Sequence, residues 1–197
     1  MGIDITVVIG IVAVLIHLAG YTLYNIQAHR GHSTPNLTSW GLWAFLAALS
    51  ALTYSAFSHD LVTTSIFYAG TAAQIFTLLF ALSTGKFTAP KREEYIVILL
   101  ALIAIYIWWS DRNAGGANLV LLAATLLGGV PTILGVWRNP KLEKPVPWLL
   151  WSLAFLLTIV NVVLRGNGFA LNLAMPVAGL VLHGTVAILA FRRIQSH

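Results

Sequence analysis

Polar residues break this chain only at intervals, leaving seven apolar stretches at about 4–27, 37–57, 61–84, 95–110, 117–138, 147–164 and 169–191. Most have the length that a helix rising 1.5 Å per residue needs to cross a bilayer core roughly 30 Å thick. The fourth, sixteen residues long, is the shortest. Seven transmembrane helices are the expectation, and almost no sequence remains for a soluble domain.

The pattern repeats within the chain. Residues 31–57 read GHSTPNLTSWGLWAFLAALSALTYSAF, and residues 140–163 read PKLEKPVPWLLWSLAFLLTIVNVV. Each copy follows a basic loop and carries a Pro, a pair of Trp residues three apart and an apolar run. The pairs are Trp40 and Trp43, then Trp148 and Trp151, so the offset is 108 residues. Gly70-Thr-Ala-Ala-Gln74 in the third stretch matches Gly179-Leu-Val-Leu-His183 in the seventh, 109 residues on. The ends of stretches one and five, from Gly20 and from Gly129, match more loosely. The expected organisation is a three-helix repeat in residues 1–85, a linker helix in 86–116 and a second three-helix repeat in 117–197. Three spans reverse the sidedness of a chain and a fourth restores it, so the repeats run parallel.

Composition agrees. The chain is 58% hydrophobic and 9% charged, against about 25% charged in soluble domains. Its net charge of +5 does not signal nucleic-acid binding, because the basic residues sort by side. Arg30, Lys86, Lys91, Arg92, Arg138, Lys141, Lys144, Arg192 and Arg193 fall on one side, and only Arg112 and Arg165 on the other. The positive-inside rule then places the N-terminus outside and the C-terminus in the cytoplasm, with a bacterial inner (plasma) membrane as the expected home. Asp4, Asp60 and Asp111 fall outside; Glu93, Glu94 and Glu143 fall inside. Without cysteine there is no thiol redox chemistry and no thiolate metal site. The first stretch lacks a basic lead and a cleavage site and reads as a span. The myristoylation pattern at Gly2 and the glycosylation sequon at Asn36 both fall on the wrong side to be used.

Three helices, a linker and three more, with an outside N-terminus, resemble the SWEET and PQ-loop superfamily. The likeness covers the whole chain in topology and is thin in motif. The Pro-Gln dipeptide is absent; the nearest sequences are Pro131-Thr132 and Tyr21-Thr22. The Trp-rich helix starts are similar to bacterial vitamin-precursor transporters of the PnuC type. Thr-Pro-Asn-x-x-Ser-Trp-x-x-Trp is also similar to uncharacterised bacterial seven-span proteins. The resemblance implies a substrate contacted by side chains on helices three and seven. Gln74 matches the amide that SWEET proteins carry there, and His183 departs from it.

Polar side chains at bilayer depth are functional candidates by default. His17, Gln74 and His183 each lie roughly 18–21 Å along their helix from the outer end, counting 1.5 Å per residue. Asn172, Pro176, Gly179 and His183 form one stripe on the seventh helix; His17, Tyr21, Tyr24 and Asn25 form one on the first. Thr71, Gln74 and Thr77 follow on the third, and Thr158 and Asn161 on the sixth. The candidate substrate-binding residues are Gln74, His183, His17, Asn161, Asn172, Tyr21 and Thr71. The competing reading makes them interhelical hydrogen bonds. The four paired tryptophans, like Trp108 and Trp109, sit where an aromatic belt would be; Trp43 and Trp151 are also candidates for a gate. Gly128, Gly129, Pro131 and Pro176 are candidate hinges, with a fixed kink as the alternative.

No Asp, Glu, Lys or Arg lies in the middle of a span, so an ionisable relay is missing unless His17 or His183 supplies it. A retinal lysine and a hydrolytic motif are missing too. An enzyme is not expected, nor a cofactor or metal. The expected function is facilitated diffusion of a small uncharged polar metabolite, a sugar or a nucleoside-like vitamin precursor, by alternating access. The alternative is a receptor or signalling protein on the same scaffold. The expected partners are that solute and the lipid bilayer, with homo-oligomerisation left open and no nucleic acid.

Overall fold

A computed structural model describes residues 4–31, 37–84, 92–166 and 169–192. Gly2, Pro35, Asn36, Lys86, Lys91, Arg193 and the side chain of Glu93, all invoked above, lie outside them. The described residues are helical, with no strand among them. They form α1 (Ile5–His29), α2 (Leu37–Ser58), α3 (Leu61–Thr84), α4 (Arg92–Asp111), α5 (Ala114–Arg138), a 3₁₀ turn (Pro140–Leu142), α6 (Pro145–Arg165) and α7 (Phe169–Phe191). All seven α-helices are long and apolar enough to cross a membrane.

The boundaries move where capping chemistry overrides the apolar count. α5 starts at Ala114 rather than 117, because Asn113 accepts a hydrogen bond from the Gly116 amide at 2.8 Å and caps the helix. α6 starts at Pro145, since proline has no amide to leave unpaired in a first turn. α4 takes in the charged Arg92 at its start, extending the shortest expected span to 20 residues. Gly166, in the left-handed conformation at φ 65°, ends α6.

Six helices close into a ring. Around it α1 packs on α3, α3 on α2, α2 on α5, α5 on α7, α7 on α6 and α6 back on α1, while α4 lies outside against α5 and α2. The outward faces expose Leu15, Phe76, Leu79, Leu102 and Ile188. So wide an apolar surface marks the area that lipid covers.

The two ends of the ring differ. At the end where α1 and α3 begin, Arg165 Nε donates to Asp60 Oδ2 at 2.6 Å and Nη1 to Thr6 Oγ1 at 2.7 Å, with Asp4 Oδ2 at 3.6 Å. This latch joins α1, α3 and α6. The Thr6 hydroxyl and amide both donate to Asp4 and hold its carboxyl below the usual range. The opposite end carries Arg30, Arg92, Arg138 and Lys141, and is called the basic face below.

The Asp60 side chain is 4% exposed and that of Arg165 24%. Removing the guanidinium would strand a buried carboxylate, which is costly, whereas replacing both charges is far less so. Arg165→Ala is expected to lower stability by about 2–4 kcal/mol, and Asp60→Asn combined with Arg165→Gln to recover much of it. Thermal unfolding in detergent checks this; equal losses in both variants would show that the ion pair holds nothing.

Candidate functional site

On the ring axis lies a chamber of about 90 Å³. All six ring helices contribute to its wall: His17 and Tyr21 from α1, Trp43 and Ser50 from α2, Thr71 and Gln74 from α3, Thr125 from α5, Phe155 from α6, and Gly179 and His183 from α7. Phe155 stands between the two histidines, with ring centroids 5.4 Å from His17 and 5.3 Å from His183. His183 Nδ1 lies 2.6 Å from the Gly179 carbonyl, which can only accept. Nδ1 therefore carries the proton, and in the neutral ring Nε2 is left as an acceptor. Gln74 lies within hydrogen-bonding reach of the Tyr21 hydroxyl.

Among the described residues three chamber groups have no partner: His17 Nδ1, Gln74 Oε1 and Ser50 Oγ. A buried polar group left unmet costs about 1–3 kcal/mol. Unmet atoms also lie outside the chamber, on Asn25, Asn118 and Asn161; the three here are set apart by lining one chamber. Among the described residues no cluster of His, Asp or Glu could hold a metal ion.

Toward the basic face a second cavity of about 180 Å³ adjoins the first and shares Tyr21, Trp43 and His183 with it. Tyr24, Trp40, Trp148 and Trp151 complete the aromatic wall of this vestibule, together with Ser39, Thr132 and Glu143. The rings pack on one another: Tyr21 and Trp151 at 4.8 Å, Trp148 and Trp151 at 5.1 Å, Tyr24 and Trp40 at 5.2 Å. The four paired tryptophans thus face inward, Trp148 and Trp151 being buried. Trp109, exposed at the end of α4, does fit a belt. Glu143 Oε2 accepts the Trp148 indole N–H at 3.1 Å. Withdrawal from water pushes the Glu143 carboxyl up to about 7, against the lowering effect of that hydrogen bond.

Comparison with protein-family models, curated proteins and solved structures gives no match.

Gln74, His183, His17, Tyr21 and Thr71 come together at the chamber, and Trp43 and Trp151 line the vestibule. Asn161 lies away from both, its amide near Gly10 at the α1–α6 seam. Asn172 lies outside both linings too, with its carbonyl accepting from the buried Tyr54 hydroxyl at 2.8 Å. Pro176 explains that bond: lacking an amide, it leaves the carbonyl four residues earlier unpaired, and Tyr54 of α2 fills the gap. Neither Gly128 nor Gly129 lines the chamber or the vestibule. Gly128 points toward Val97 of α4, and Gly129 gives room to Leu182. α5 and α7 run on as helices through Pro131 and Pro176. Asn25, on the expected α1 stripe, donates instead to Thr77 at 2.9 Å and ties α1 to α3. Sequence reasoning missed Ser50, Thr125, Phe155 and Glu143. Thr125 lies one repeat offset of 108 residues from His17, a signal that was present.

Close approach makes the site. A Cβ at Gly20 would fall 2.6 Å from Trp151 Nε1, and one at Gly70 would fall 2.9 Å from His17 Nε2. At Gly41 the nearest atom would be 3.8 Å away. Gly41→Ala is therefore expected to be neutral or slightly stabilising, from helix propensity alone. Gly20→Ala should cost about 1–3 kcal/mol by overpacking and shift the tryptophan emission as Trp151 is displaced. Indistinguishable melting curves and spectra for the two variants would refute this placement of Trp151.

Proposed function

We propose that the protein is a membrane carrier in which two parallel three-helix repeats, residues 1–85 and 117–197, rock about the chamber and pass a small polar metabolite by facilitated diffusion. The repeat reading has support in the ring. Exchanging α1 with α5, α2 with α6 and α3 with α7 turns each ring contact into another ring contact. The seams match in detail. Asn118 of α5 donates to Thr53 of α2 at 2.9 Å. One repeat offset away, the same two positions are Gly10 of α1 and Asn161 of α6, and these also meet.

The observation that carries the transport reading is the chamber wall: both repeats contribute to it, and its unmet groups are His17 Nδ1, Gln74 Oε1 and Ser50 Oγ. A solute rich in hydroxyls, such as a sugar or the sugar of a nucleoside-like vitamin precursor, would satisfy them. Among the described residues no charged side chain lines the chamber, so an anion gains nothing there. At about 90 Å³ the chamber is smaller than a cavity of roughly 150 Å³ that takes benzene. Loading requires Tyr21, Trp43 and His183, shared with the vestibule, to move apart. Gly128-Gly129-Val-Pro131 in α5 and Pro176 in α7 are the proposed hinges. The Arg165 latch and the Tyr54–Asn172 bond would seal the other end, placed outside by the positive-inside rule.

A reporter enzyme fused after His197 is expected to be active only in the cytoplasm. Periplasmic activity would overturn the sidedness and the repeat count together. Proteoliposomes screened with sugars and nucleosides test transport itself: uptake should equilibrate the solute and survive collapse of the proton gradient. Gln74→Ala and His183→Ala should each weaken binding by about two- to tenfold, the worth of one neutral hydrogen bond, with melting temperature kept. Binding without uptake would leave a receptor. Unchanged binding with lowered stability in both variants would make the pair helix glue.

A further inference from the structure

The vestibule has a chemistry distinct from that of the chamber. Among the described residues its wall is four tryptophans, two tyrosines, Ser39, Thr132, His183 and one carboxylate, Glu143, with no lysine or arginine. Aromatic faces carry the negative end of the ring quadrupole and attract cations, with tryptophan the strongest. A carboxylate drawn out of water is costly unless a positive charge stands beside it. Glu143 has the Trp148 indole N–H as a neutral partner.

We propose that the vestibule is a binding site for a small organic cation of the alkylated-ammonium class, held against Trp40, Tyr24 and Trp148 and neutralised by Glu143. A quaternary ammonium offers no hydrogen-bond donor and a diffuse charge, which suits rings better than amides. The vestibule's 180 Å³, twice the chamber's volume, gives such a group room. The site does not depend on whether the chamber transports anything.

The surrounding basic residues do not cancel it. Arg192 lies over the Trp137 ring at 4.8 Å and donates to the Trp137 carbonyl at 2.8 Å, so its charge is engaged on α5. Arg138 and Lys141 are solvent-exposed and Lys144 is half-exposed; charges in water are screened over about 8 Å at physiological salt. On the far rim Ser39 donates to Glu94 at 2.9 Å, which brings a second carboxylate near. Among the described residues the titratable groups around Glu143 are thus Lys141 and Lys144 in its own loop, Arg138 of α5, Tyr21 and Tyr24 of α1, His183 and Arg192 of α7, and Glu94 of α4. Of these, Tyr21, Tyr24 and His183 share the vestibule wall with Glu143.

A bound cation favours ionised Glu143, so affinity must rise with pH as that carboxyl, pushed up to about 7, loses its proton. Between pH 6 and pH 8 the ionised fraction, and with it the affinity, should rise roughly tenfold.

Calorimetry on the protein in nanodiscs decides the matter, with choline and its uncharged isostere 3,3-dimethylbutan-1-ol as probes. Choline should bind saturably at pH 8 and the isostere at least about tenfold more weakly. Glu143→Gln keeps an acceptor for the Trp148 indole; it should reduce choline affinity about tenfold and abolish the rise from pH 6 to pH 8. Trp40→Leu, at a partly buried ring on the rim, should also weaken choline, and stands in if Glu143→Gln does not fold. Absence of saturable choline binding, equal binding of the two probes, or wild-type choline affinity in either folded variant would each overturn the proposal.

Discussion

In a bilayer a helix gains nothing by burying leucine against another helix rather than against lipid, because both surroundings are equally apolar. Association must come from close fit and from polar bonds. This ring is built accordingly. A large side chain of a neighbouring helix lies where a Cβ would be at Gly10, Gly20, Gly70, Gly129 and Gly179. The intruders are Val62, Trp151, His17, Leu182 and Phe155. Polar bonds fix the register: Asn118 to Thr53, Asn25 to Thr77, and Arg165 to Asp60 and Thr6. Four of the five intruders, Trp151, His17, Leu182 and Phe155, also line the chamber or vestibule. The packing that closes the ring therefore positions the groups on its axis.

The polar residues inside the membrane then fall into two kinds. Asn25, Thr53, Thr77 and Asn118 point into seams and bond across them. His17, Gln74 and Ser50 line the chamber on the axis; each keeps an atom with no partner among the described residues, as Asn25 and Asn118 also do at Oδ1. Both kinds look alike in sequence, because a helical stripe fixes a direction relative to its own helix and not to the ring. That is why Asn25 shares a stripe with His17 yet faces α3, and why Asn161, one turn from the end of α6, sits in the α1–α6 seam.

The seven helices were legible because lipid demands length and apolarity, and both can be counted. Boundaries shifted where Asn113, Pro145 and Gly166 set them by local bonding, which apolar counting does not register. Gln74 and His183 could be placed together at the axis because the repeat offset supplied a second relation beside periodicity. The tryptophan pairs admitted two readings, since a residue one turn inside a helix end sits at belt depth whether it faces lipid or the axis. Glu143 was illegible. A charged residue in a basic loop reads as solvated, and only the fold sets it against Trp148.

The two ends of the axis are closed by different forces. At the latch end the closure is directional: an ion pair at 2.6 Å, and a tyrosine hydroxyl supplying the hydrogen bond that Pro176 cannot make. Such bonds are lost steeply when distances change, and a broken one leaves a buried carboxylate or carbonyl exposed to hydrocarbon. At the basic face the closure is ring against ring, each contact worth about 0.5–1.5 kcal/mol beyond burial and tolerant of sliding. The indole N–H of Trp151 has no partner to lose. Under the carrier reading, opening at the basic face would exchange aromatic contacts and break the Trp148–Glu143 bond, while opening at the latch end would break the Arg165 ion pair and the Tyr54–Asn172 bond. Pro176 lies between the two closures along α7: the carbonyl that Tyr54 holds is four residues before it, and the His183 ring that packs on Trp148 and Trp151 is seven after.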